Sequence, residues 1–250
     1  ALGGAVSWSG RLGDDATGQT LLAMLRRCGV STDGASITPG AQSPSAAISL
    51  DPQGERLLAV HLGARLPEDA PVPPSSLEGA GSVLADPRWV GGAEQLFALA
   101  ARRGLPRVLD ADVAPPHILH RLAPQADHVI FSERGLVDFS DIADPAIALA
   151  QAARSLDATV AVTLGARGSL WWRDGRAIAL PAPSVAARDT TGCGDVFHGA
   201  YALALAERST VEDAARFATA AAALKATRGN GWDGMPRRAE VVALLRRGWG

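Results

Sequence analysis

From Arg188 to Leu205 the chain reads RDTTGCGDVFHGAYALAL: a polar turn punctuated by glycine, a single carboxylate, then an apolar run. Val196, Gly199, Ala200 and Leu203 recur at i, i+3, i+4 and i+7, so the spacing predicts an amphipathic helix that begins at about Gly194. The amides of Gly192, Cys193 and Gly194 then stand as unpaired donors at a helix N-terminus. With the helix dipole behind them such donors form a site for an anion, and glycine lets the backbone approach a phosphate with no Cβ in the way. Asp195 falls at the edge of that site, so the arrangement holds a phosphate beside a base. The alternative for Asp195 is a helix N-terminal acid that only satisfies amides.

Other residues could join this chemistry. Thr163, Gly165 and Gly168 fall at a strand end and the turn after it, where open parallel sheets bind ligands. Arg167, in the same turn, either pairs with phosphate oxygens or is solvated. Asp86, Arg88, Asp110 and Asp112 sit at or just after strand ends. Arg88 suits an oxyanion on a substrate, or a structural salt bridge. His198 lies on the first turn of the Gly-rich segment's helix, as a core hydrogen-bonding group or a substrate contact. Cys193 is either a thiol activated by a helix N-terminus or a small residue in a tight turn. The glycines of Thr227-Arg228-Gly229-Asn230-Gly231 fit a loop that wraps a ligand and equally a helix end followed by a turn.

These groups need a scaffold, and the pattern supplies one. Ser82 to Ala85, Arg107 to Leu109, His128 to Phe131 and Thr159 to Val162 are short apolar runs. Helical stretches alternate with them near Ala93 to Arg103, Pro115 to Leu122 and Pro145 to Ser155. That alternation is the βαβ logic of a doubly wound α/β fold, a mostly parallel sheet with helices on both faces. Asp14 to Cys28 reads as a helix stopped by Gly29, preceded by a strand over Ala5 to Trp8. Ala46 to Leu50 and Arg56 to His61, separated by the turn cluster Asp51-Pro52-Gln53-Gly54, read as a β-hairpin. Pro67 to Pro74 is a Pro-rich connector. After the Gly-rich turn two further helices are expected, the second opening on the capping box Ser209-Thr210-Val211-Glu212.

The chain of 250 residues is long enough for one domain, 1–250, with residues 44–64 as a hairpin appendage within it. A hydrophobic share of 47% and a charged share of 20% are those of a globular protein, and a formal net charge of -2 gives no footprint for nucleic acid. Apolar stretches are broken by charge before reaching about 18 residues, so no membrane partner is expected. Two cysteines, Cys28 and Cys193, fit a reducing cytoplasm. Ala1-Leu2-Gly3 has no initiating Met and reads like the tail of a helix entering a strand.

Asp189-Thr190-Thr191-Gly192-Cys193-Gly194-Asp195 resembles the C-terminal signature of the ribokinase-like (PfkB) carbohydrate kinases. Ser9 to Gly18 resembles that family's early Gly-x-x-Gly-Asp-Asp-x-x-Gly segment, and Thr163 to Gly168 its nucleotide-side strand and turn. The resemblance implies a kinase that transfers the γ-phosphate of ATP, with Mg²⁺ and a possible K⁺, to a sugar hydroxyl. It assigns the anion hole to Gly192, Cys193 and Gly194 and the base to Asp195. It places the nucleotide among Thr163, Gly165, Arg167, Gly168, Thr191, Arg228 and Gly229, with the Thr227 to Gly231 loop near adenine and the monovalent cation. An ordinary carboxylate is a weak base toward an alcohol, so proton transfer comes late and orientation is its larger contribution.

Within the family, Ala85 to Trp89, Val108 to Asp112, Phe131 to Glu133 and Asp195 to Ala200 are similar to bacterial sulfofructose kinases, which implies the 1-hydroxyl of 6-deoxy-6-sulfofructose as acceptor. Asp86, Arg88 and Asp112 are then substrate residues. The family's Asn-x-x-Glu metal motif falls at Ser132-Glu133-Arg134-Gly135 without either end residue, leaving Glu133 to act on Mg²⁺ through water. A first strand, part of a β lid and a Gly-Gly substrate motif are expected upstream of Ala1, and the hairpin is the remnant of that lid. Lid pairing makes a homodimer an expectation. Other acceptors (ribose, fructose, a 2-keto-3-deoxygluconate type of acid) and an inactive sugar-binding or regulatory relative stay open.

Overall fold

Asp15 starts the first helix of the chain by accepting the Gly18 amide at 2.8 Å, which fixes where the preceding strand must stop. In this computed structural model, which describes residues 1–50, 56–229 and 231–249, the chain divides into a unit of Ala5–Glu78 and a larger unit of Ala1–Gly4 with Gly79–Gly250.

In the smaller unit, β1 (Ser7–Gly13) pairs in parallel with β2 (Ser31–Thr38), and α1 (Ala16–Arg27) connects them. The strand predicted over Ala5 to Trp8 therefore starts later and runs into the Gly-rich motif. The acids of that motif are structural. Asp14 accepts the Gly40 amide, while Asp15 also accepts from the Ser43 amide and hydroxyl, bonds that hold its carboxyl below the usual carboxylate range. β2 was not foreseen, because STDGASIT carries a glycine and no apolar alternation. The expected hairpin is present as β3 (Ser45–Leu50) antiparallel to β4 (Arg56–His61); its predicted turn, residues 51–54, lies outside the described residues.

The larger unit is built on one sheet. Its chain order is β5 (Val83–Ala85), α2 (Val90–Arg102), β6 (Arg107–Ala111), α3 (Pro116–Leu122), β7 (His128–Ser132), α4 (Glu133–Ser140), α5 (Pro145–Ser155), β8 (Thr159–Thr163), β9 (Ser169–Arg173) and β10 (Arg176–Leu180). Three helices follow: α6 (Cys193–Ala206), α7 (Val211–Ala226) and α8 (Arg238–Arg247). The strands lie in the order β10-β9-β8-β7-β6-β5, with β5 to β8 parallel and β8 to β10 antiparallel.

Each strand feeds both faces. Val108, Ile130 and Ala161 pack with Phe197, Ala200, Tyr201 and Ala218 of α6 and α7. Leu109, Val129, Phe131, Val160 and Val162 alternate with them, are also buried, and face the side where α2, α4 and α5 meet β6, β7 and β8. The apolar runs read from the sequence thus became the central strands. Thr210, not Ser209, caps α7 by accepting the Asp213 amide at 3.1 Å, and α8 is a third helix where two were expected. Among the described residues no helix is long and apolar enough to cross a membrane.

Candidate active site

Parallel pairing brings the C-terminal ends of β5, β6, β7 and β8 to one edge of the sheet, and the polar residues follow those ends: Asp86, then Asp110 and Asp112, then Ser132 and Glu133, then Thr163. The N-terminus of α6 belongs to the same group. His198, on its second turn and almost fully buried, brings Nδ1 within 2.9 Å of Gly194 O and 3.3 Å of Asp110 Oδ2. Its Nε2 stands 3.2 Å from Ile130 O. Oxygen atoms thus face both ring nitrogens. The ring ties the first turn of α6 to β6 and β7.

Gly192 begins that turn in the left-handed region, φ 73° and ψ 9°, and has no Cβ to resist it. Its conformation closes a turn in which the Cys193 amide donates to Thr190 O at 3.2 Å. This corrects the sequence reading of three open donors, since Cys193 is engaged. Among the described residues no backbone carbonyl accepts from the Gly192 or Gly194 amides. A Cβ built on Gly194 meets nothing within 4 Å, so its approach is open. Asp195 is exposed and leans back over the turn, its Oδ2 3.5 Å from where a Gly192 Cβ would stand. Thr191 donates its amide to Asp189 Oδ1 at 2.9 Å.

Four carboxylates share this basin. Burial pushes Asp110 up to about 6, opposed by His198 and reinforced by the negative charges of Asp112, Asp195 and Asp86. Desolvation also raises Asp86, which still touches solvent. Its hydrogen bond from the Arg88 amide at 2.7 Å and the Arg88 charge pull the other way, while Asp195 and Asp112 add to the rise. Arg88 donates to Val113 O at 3.1 Å and lies 3.4 Å from Asp112, with over half of its side chain exposed. The group is electronegative and rich in acceptors, a surface for hydroxyls.

Other predicted residues are placed less directly. Glu133 and Arg167 are engaged with each other at 2.6 Å, so the expected metal-side acid and phosphate-side base form an exposed ion pair. Ser132 caps α4 by accepting the Gly135 amide at 3.0 Å, which is why a helix follows β7 with no loop. Thr163 donates to Phe131 O at 3.3 Å, and Gly165 and Gly168 both adopt positive φ in the turn. Arg228 pairs with Glu240 at 2.6 Å beside a cleft lined by Leu224, Ala243, Leu244 and Arg247, which holds none of the four carboxylates; Gly229 follows, and Asn230 lies outside the described residues. Among the described residues no group of three or more His, Cys, Asp or Glu is set to hold a metal ion. The carboxylates of Asp86, Asp110, Asp112 and Asp195 are oxygen donors of the kind Mg²⁺ takes directly or through water.

Sequence reasoning missed Lys225. It stands alone in the Ala-rich run FATAAAALKA, seven residues after the apolar-face Ala218, and a lone lysine on an apolar face is the signal that could have found it.

Comparison with known proteins agrees over the whole length. A family model described as pfkB family carbohydrate kinase matches residues 1–238. The chain is 29% identical to a ribokinase of Bacillus subtilis over 98% of this chain and 83% of that protein. It is 28% identical to fructokinase-1 of Oryza sativa, covering 98% and 84% respectively. The solved structure of Arabidopsis thaliana ribokinase complexed with ribose and ATP superposes with a TM-score of 0.83 at 28% identity, over 97% of this chain and 82% of that one.

Proposed function

The chain belongs to the pfkB family of carbohydrate kinases, and on that premise we propose that it moves the γ-phosphate of ATP to a hydroxyl of a ketose-type sugar at the N-terminus of α6. The observation that carries this reading is the exposed Asp195 carboxylate beside the open Gly194 amide. The sugar oxygen attacks the γ-phosphorus as the bond to the β–γ bridging oxygen breaks, ADP leaves, and the hydroxyl proton passes to Asp195. The Gly192 and Gly194 amides meet the charge on the moving phosphoryl group, as fixed donors that need no reorganisation. His198 and Asp110 hold the turn that aims them. Mg²⁺ bound to the nucleotide would neutralise phosphate charge.

Four carboxylates to one guanidinium favour an uncharged polyol in this basin. A ribokinase complexed with ribose and ATP and a fructokinase among the relatives support the sugar class and the donor. The sulfonated reading, 6-deoxy-6-sulfofructose phosphorylated at its 1-hydroxyl, is favoured by one feature, the exposed Arg88 guanidinium. A screen of ATP consumption over fructose, ribose, a 2-keto-3-deoxygluconate type of acid and 6-deoxy-6-sulfofructose tests both. Turnover of fructose above the acids supports the neutral ketose. A preference for the sulfonate that Arg88→Ala abolishes supports the other. No turnover with any sugar sinks the kinase reading.

The raised Asp110 gives a pH signature. Protonated below about pH 6, it no longer sets a negative charge beside His198 and the turn, so kcat/KM should fall through a single-proton limb near 6, and Asp110→Asn should remove that limb. The sign for stability is opposite. A carboxyl whose folded pKa lies above its unfolded value stabilises the fold most when protonated, and this contribution is lost as pH rises through about 6. A kcat/KM profile flat down to pH 5 would contradict the assignment.

A further inference from the structure

Lys225 is the least accessible charged group described in the chain, with 1% of its side chain exposed. Lysines on a helix normally extend their ammonium to water, and a buried one needs compensating oxygens. Here Nζ has Arg228 O at 3.4 Å and Asp189 Oδ2 at 3.8 Å. Both oxygens belong to segments that frame the phosphate-binding turn. The Arg188 and Asp189 amides donate to Ala226 O at 2.7 and 3.1 Å, fastening the start of the turn to the end of α7. The other oxygen of Asp189 accepts the Thr191 amide, one residue before Gly192. The charge also lies at the C-terminal end of α7, where the helix dipole favours a cation.

The family likeness implies a monovalent cation by this loop. A carboxylate oxygen and a main-chain carbonyl are the oxygens such an ion would take, and here they already face a fixed positive charge. A potassium ion bound to both would share its two ligand oxygens with a buried ammonium, where the protein interior screens like-charge repulsion far less than water does. The residues present do not fit the ion.

We propose that the ammonium of Lys225 takes the place of a monovalent cation beneath the phosphate-binding turn, so that this protein folds and turns over without potassium. Lys225 is a positioning residue: it holds Asp189 and the Arg228 carbonyl, and through Asp189 the turn that begins α6. The effect on turnover rests on the kinase reading above, whereas the placement of the charge does not.

The test compares the full chain, Lys225→Met and Lys225→Ala in potassium, sodium and choline chloride at one ionic strength, by thermal unfolding midpoint and by initial rate. The wild type should give the same midpoint and rate in all three salts. Lys225→Met should lose both stability and most of its turnover in choline and regain them in potassium, and Lys225→Ala, which leaves more room, should regain them further. A wild-type midpoint or rate raised by potassium over choline overturns the proposal. So does a variant equally sound, or equally defective, in every salt, since a packing role alone has no reason to choose between cations. If no sugar is phosphorylated in any salt, the kinase reading fails while the midpoints still decide the placement of the charge.

Discussion

Asp195→Asn should fold like the wild type and lose on the order of 10²–10⁴ in kcat, the range for removing a positioned acid–base group. The side chain is exposed and replaces no buried contact, so the melting midpoint should barely move. Asparagine keeps the shape and can still satisfy helix N-terminal amides. What it cannot do is accept the hydroxyl proton, and its amide presents a donor where the sugar oxygen needs an acceptor. The loss should fall on kcat rather than on KM for ATP, because the amides of Gly192 and Gly194 are untouched. Rapid-quench measurement of a single turnover separates the chemical step from product release. Wild-type turnover in this variant would return Asp195 to the role of a helix N-terminal acid.

The parts of this molecule that could be read from the sequence are those in which side-chain type alone decides the structure. Val129, Ile130 and Phe131 are apolar on successive positions because both faces of β7 are covered, and a continuous run of that kind identified the strand. The Gly192 to Asp195 turn was legible because few residue types permit a left-handed start to a helix with open amides. β2, β9 and β10 were not legible. Their residues mix Ser, Gly, Trp and Arg; β2 and β9 become strands through pairing with β1 and β8, which no local window contains, whereas β10 pairs with β9 across Asp174-Gly175, a short hairpin signal that sequence reasoning missed. Individual site residues were hardest to place. Glu133 and Arg167 each looked free to meet a ligand, and only their separation in space, not their 34-residue separation along the chain, shows that they meet each other. Asp110 looked like one strand-end acid among several until burial and three neighbouring carboxylates set it apart.

The turn after β8 offers a second large effect, and a way to divide its causes. Gly165 and Gly168 both have positive φ, 59° and 89°, yet their surroundings differ. A Cβ on Gly165 meets nothing within 4 Å, whereas one on Gly168 would overlap the carbonyl oxygen of Leu180 and crowd the Ala182 amide, both backbone. Gly165→Ala should therefore cost only the left-handed strain, about 1 kcal/mol. Gly168→Ala must also push the turn away from residues 180–182, at about 3 kcal/mol or more in total. Denaturant midpoints of the two variants measure the difference, and equal midpoints would mean the turn moves freely. The Leu164 amide donates to Gly168 O at 2.7 Å, so a shift at Gly168 is passed back to the end of β8 and to Thr163. If that end faces the nucleotide, Gly168→Ala should raise KM for ATP while kcat at saturating ATP stays near the wild-type value, because α6 and its amides remain in place. A fall in kcat with KM unchanged would separate the turn from the nucleotide and tie it to the groups that hold α6.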